Sequence, residues 1–79
     1  MTNLERYNKI FCDVLKVEES ELPTLAFRCN ENWDSVGFMA LVTAIEDAFD
    51  IELDPGDMMD FTSYSNGKEI LSKSYGISF

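Results

Sequence analysis

The chain has 79 residues, of which 46% are hydrophobic and 13% aromatic, enough for one small domain with a real core and too apolar for a disordered tail. Its net charge of −9 argues against nucleic acid or an anionic membrane surface as a partner and favours basic proteins met in fast, salt-sensitive encounters. There is no histidine, which removes the usual general base and the commonest neutral metal ligand. The two cysteines, Cys12 and Cys29, have no zinc spacing.

Met1 leads directly into polar Thr2-Asn3, with no signal peptide or membrane-spanning run, so cytoplasmic residence with reduced thiols is expected. Thr2-x-x-Glu5 has the form of a capping box. Behind it Leu4, Tyr7, Ile10, Phe11, Val14 and Leu15 recur at helical spacing and predict a helix over about 3–16. Glu5, Lys9 and Asp13 step along its other side at i,i+4. Cys12 falls off the apolar stripe, at the rim.

Residues 17–33 form a long connection with no clean period, and Pro23 is expected to interrupt any helix at Leu22. Loops of this length are uncommon unless they pack or work. Leu22, Leu25, Phe27 and Trp33 suggest a loop lying over the core, with room for a short helical turn after Ser20 or Thr24.

A second helix begins at Asp34 or Ser35. With Asp34 as N-cap, Trp33 and Phe38 take the positions of a hydrophobic staple. Phe38, Leu41, Val42, Ile45 and Phe49 then share a core face. Val36, Met39, Thr43, Glu46, Asp47 and Asp50 share the opposite side, apolar near Ser35 and acidic further on. The helix runs out near Asp50-Ile51.

Asp54-Pro55-Gly56-Asp57 is turn chemistry, or else the start of a short helix with Pro55 in its first turn and Met58, Met59 and Phe61 as its apolar residues. A last helix carries Tyr64, Ile70, Leu71 and Tyr75. In it Gly67 allows close approach, and Gly76 follows as the stop. Ile77-Ser78-Phe79 should fray or dock loosely. No period-2 segment is long enough for a sheet. The expectation is an all-α, small helical bundle forming a single domain over 1–79.

Eight carboxylates run from Asp34 to Asp60 with no Lys or Arg between them. As catalytic groups they would need a pocket that drives their pKa values apart, so the run reads as a solvated face and no catalytic residue is assigned. Asp50-x-Glu52-x-Asp54 imitates the opening of a calcium loop. Pro55 and Phe61 stand where glycine and a bidentate Glu are required, so no metal site is assigned. A phosphate on Ser35 would sit at a helix N-terminus, where free N–H groups favour an anion; the alternative is that Ser35 is merely a helix cap.

Asp34-Ser35-Val36, followed by Leu41-Val42, Ile45-Glu46 and Phe49-Asp50-Ile51, resembles the attachment region of acyl carrier proteins, where Asp-Ser-Leu opens the second helix. The resemblance extends over the chain. It implies a four-helix acyl-carrier-like bundle with a long first loop and a short third helix. It further implies that Ser35 accepts 4'-phosphopantetheine from coenzyme A, installed by a separate magnesium-dependent phosphopantetheinyl transferase. The arm's thiol would then hold an acyl group as a thioester. The protein would be a stand-alone, monomeric tether visiting acyl-loading and acyl-transfer enzymes with basic docking patches, and not an enzyme.

On this reading Asp34, Val36 and Met39 form the docking patch beside the arm. Glu46, Asp47 and Asp50 pair weakly with partner Lys or Arg, at roughly 0–1 kcal/mol each. Two residues depart from the family pattern. Val36 stands for leucine. Gly37 stands where an acidic or polar residue is common; it is expected to loosen the first turn and to move the acidic contacts down the helix, pointing to a specialised biosynthetic pathway. An aminoacyl or peptidyl carrier is the near alternative, and an acidic helical interaction module the distant one.

Overall fold

A computed structural model describes residues 2–28 and 31–79. Helix α1 runs Asn3–Leu15, α2 Ser35–Phe49, α3 Pro55–Asp60 and α4 Tyr64–Tyr75, with a 3-10 turn at Glu19–Thr24 between α1 and α2. The described residues are thus all-helical apart from loops, with one isolated bridge from Ala26 to Ser63.

The capping box forms as expected: the Glu5 N–H donates to Thr2 Oγ1 (3.1 Å) and the Thr2 N–H to Glu5 Oε1 (3.1 Å). Helix α1 ends where Lys16 turns into the left-handed region. Pro23 does not end a helix at Leu22 as expected. The 3-10 turn continues through it to Thr24, because its i→i+3 bonds, Glu21 N–H to Glu18 O and Leu25 N–H to Leu22 O, never call on the missing proline N–H.

The first loop lies over the core. Leu22, Leu25 and Trp33 are buried with Tyr7, Phe11 and Leu15 of α1, Leu41, Val42 and Ile45 of α2, and Leu71 of α4. Its far end is tied to the α3–α4 junction: Phe27 N–H donates to Thr62 O (2.8 Å) and Tyr64 N–H to Leu25 O (3.1 Å). Cys12 is half-buried at the core's edge, whereas Cys29 lies outside the described residues.

Tyr7 is central to the packing. Its ring meets Phe11, Tyr64 and Phe79 at centroid distances of 4.8, 5.1 and 5.2 Å, and its hydroxyl donates to Tyr64 O (2.6 Å). Burial pushes its phenol well above the usual range. Gly67 faces this cluster, and a Cβ there would overlap the Phe61 ring and the Tyr7 hydroxyl. The C-terminal residues dock instead of fraying. Ile77 is buried, Phe79 packs against Tyr7 and Phe49, and Asn3 Nδ2 donates to Ser78 O (3.0 Å).

Candidate functional site

The site forms where the loop delivers the chain into α2. Trp33 is completely buried, with its ring edge-on to Phe11 (5.5 Å), Phe27 (6.3 Å) and Phe61 (6.4 Å). It anchors the residue pair that follows. Asp34 is the N-cap: its Oδ1 accepts the Gly37 N–H (2.9 Å) and its carbonyl accepts the Phe38 N–H (2.8 Å). The expected staple is closed through two further rings, since Phe27 and Phe61 each lie within 6.4 Å of both Trp33 and Phe38.

Ser35 is therefore the first residue of α2, and it is exposed. Among the described residues its hydroxyl is engaged by no other group. Beside it Val36 is 79% and Met39 54% exposed, unusually open for apolar side chains.

Gly37 corrects the expectation of a loosened turn. A Cβ at this position would overlap the main-chain oxygen of Asn32, whose own side chain donates to Leu15 O (2.9 Å). The loop is thus clamped between the end of α1 and the first turn of α2, and only glycine fits the clamp. Gly37→Ala should gain up to about 1 kcal/mol of helix propensity. It should lose more, since overpacking against a fixed backbone atom costs about 1–3 kcal/mol. Urea denaturation should therefore show the alanine variant less stable.

The acidic side of α2 divides by use. Asp47 and Asp50 are exposed. Glu46 is half-buried, and its Oε2 accepts the Leu53 N–H (2.9 Å), so it also holds the chain leaving α2. Asp50 ends the helix in the left-handed region. Among the described residues the two ion pairs are Lys9–Asp13 and Lys73–Glu69, both away from this stretch. Among the described residues, none of the eight carboxylates from Asp34 to Asp60 is in an ion pair. No group of three or more His, Cys, Asp or Glu among the described residues is placed to hold a metal ion.

Phe38, Met58, Met59 and Phe61 line one apolar pocket beside α2. Leu41 and Ile45 of the same helix lie in the packed core. Phe27 and Thr62 complete the pocket; Phe27 was expected to lie over the core with its loop, but neither was expected at a pocket. Phe27 sits in a segment without a period, and its one signal was an apolar ring in a loop that needed cover.

The phosphopantetheine attachment site family matches residues 8–66. The chain belongs to this family. No curated protein and no solved structure matches it. The matched span includes the whole first loop, all of α2 and α3, and the start of α4. This carrier domain is the site of covalent 4'-phosphopantetheine attachment. Carrier domains are generally non-catalytic, and they work with phosphopantetheinyl transferases and acyl-handling enzymes. No helix among the described residues is long and apolar enough to cross a membrane.

The residues at the start of α2 fit the group. An exposed, unengaged hydroxyl stands on the first turn of a 15-residue helix, whose free N–H groups and dipole favour a phosphodiester. When attached, the arm supplies a terminal thiol on which cargo is held as a thioester.

Proposed function

We propose that the protein is an acyl carrier protein that bears its arm on Ser35 and acts as a stand-alone shuttle between partner enzymes in a specialised biosynthetic pathway. The observation that carries this reading is the setting of Ser35. The family match covers four serines, Ser20, Ser35, Ser63 and Ser65. Ser63 already spends its hydroxyl as the α4 cap, accepting the Asn66 N–H (3.0 Å). Ser20 lies inside the 3-10 turn, and Ser65 stands beside no large exposed apolar side chain of its own helix. Ser35 alone combines a free hydroxyl, a capping aspartate, a long helix and an apolar shoulder of Val36 and Met39.

The helix order, with a long first loop and a short third helix, suits a four-helix carrier bundle. The strong negative charge favours acyl over peptidyl cargo. Asp34, Val36 and Met39 meet the partner beside the arm. Asp47 and Asp50 supply free charge further along, and Glu46 adds its charge while holding Leu53. Weak exposed pairs suit a protein that must leave each enzyme it visits.

Incubation with coenzyme A and a broad-specificity transferase should add one phosphopantetheine mass per chain. A wild-type protein left unmodified by several such transferases overturns the reading. Asp47→Lys should slow association with the transferase by roughly tenfold at low salt, with the difference shrinking as salt screens the encounter. Equal stopped-flow rates at low salt would remove Asp47 from the docking surface.

A further inference from the structure

The pocket beside α2 has two walls held in different ways. It measures about 180 Å³ and is lined by Phe27, Phe38, Met58, Met59, Phe61 and Thr62. Phe27 and Phe38 belong to the aromatic cluster around buried Trp33. The opposite wall is α3, which buries no side chain completely and leaves Met59 82% exposed. Met58, half-buried, is the α3 side chain packed against the core.

Helix α3 is also held by α4, through polar bonds at both ends. At the first end the Tyr75 hydroxyl accepts the Asp54 N–H (2.9 Å) and donates to Asp57 Oδ2 (2.8 Å). Asp54 provides no side-chain cap of its own to α3. At the other end Asn66 Nδ2 donates to Asp60 O (3.0 Å) and to Thr62 Oγ1 (2.9 Å). Towards Phe27 and Phe38 the pocket side of α3 offers methionine side chains. These reshape easily, but the helix behind them is pinned.

We infer that Tyr75 and Asn66, by pinning α3 at both ends, set the width of this pocket and restrict the cargo it shelters to a short or single-ring acyl group. This rests on the carrier reading, with the arm on Ser35 three residues before Phe38. The pocket's volume is near that of a cavity of about 150 Å³ that accepts one benzene ring. A long alkyl chain needs the seam between the methionines and the phenylalanines to part, and the pins oppose that. Tyr75 and Asn66 are positioning residues, since neither lines the pocket.

The test uses the holo protein, with its mass gain verified first. Hexanoyl, phenylacetyl, dodecanoyl and hexadecanoyl groups are then attached through a stable amide analogue of the thioester, and melting temperatures are compared. In the wild type the two small groups should raise Tm and the two long ones should add nothing further. In Tyr75→Phe and in Asn66→Ala the largest rise should move to dodecanoyl. In the unmodified protein, Tyr75→Phe should speed hydrogen exchange of the Met58 amide by roughly tenfold or more, since local opening no longer breaks the pin.

A wild-type Tm that climbs steadily with chain length overturns the proposal. So does a chain-length profile shared by the wild type and both variants, or no shift with any group. If no mass gain occurs, the carrier reading fails by itself. The exchange measurement, which needs no arm, still decides whether Tyr75 pins α3.

Discussion

Trp33→Ala should cost about 3–5 kcal/mol, the usual range for truncating a fully buried aromatic side chain. In a domain this small that is a large share of the total stability, so the variant should be substantially unfolded at 25 °C. Trp33 holds three rings, from α1, the first loop and the α3–α4 junction, and the next residue caps α2. Its loss therefore releases the start of α2 as well as opening a cavity.

Trp33→Phe keeps an aromatic ring in the same space and leaves a smaller cavity. The indole Nε1 is buried with no hydrogen-bond partner among the described residues. An unmet buried donor costs about 1–3 kcal/mol, so phenylalanine loses volume but also removes that penalty. It should fall well short of the alanine effect. Thermal and urea denaturation followed by circular dichroism would measure both. Equal destabilisation by the two substitutions would contradict this expectation.

Several helix ends were legible because caps are local. Thr2 with Glu5, Asp34 before the apolar stripe, Pro55 in the first turn of α3 and Gly76 at the stop of α4 each act within one helical turn. Ser35 inherited its position from Asp34, so its place at the mouth of α2 could be read from the chain. What depended on distant contacts could not. The tightness of Gly37 comes from the Asn32 carbonyl, whose position is set by the end of α1.

Docking of Phe79 depends on the rings of Tyr7 and Phe49, from α1 and α2, and that of Ile77 on the end of α4, which no local pattern announces. The 3-10 turn through Pro23 carries no apolar period. Met59 shares the sequence character of Met58 but stays largely exposed at the rim of the pocket, because six residues make less than two turns and α3 reaches the molecule over a narrow face.

Ser35→Ala should abolish loading while leaving the fold intact. Its hydroxyl caps nothing among the described residues: Asp34 performs that task, and Ser35 is exposed. An exposed change of this kind should alter stability by no more than about 0.5 kcal/mol. Full loss of the arm with an unchanged Tm separates attachment from a structural role.

The most direct measurement locates the added mass on the chain. Cleavage before aspartates yields a peptide over 34–46 in which Ser35 is the single serine. After reaction with coenzyme A and a transferase, this peptide should carry the whole phosphopantetheine mass, and fragmentation should assign it to Ser35. An arm found on a peptide containing Ser20, Ser63 or Ser65, with the 34–46 peptide unmodified, would contradict Ser35 as the attachment point.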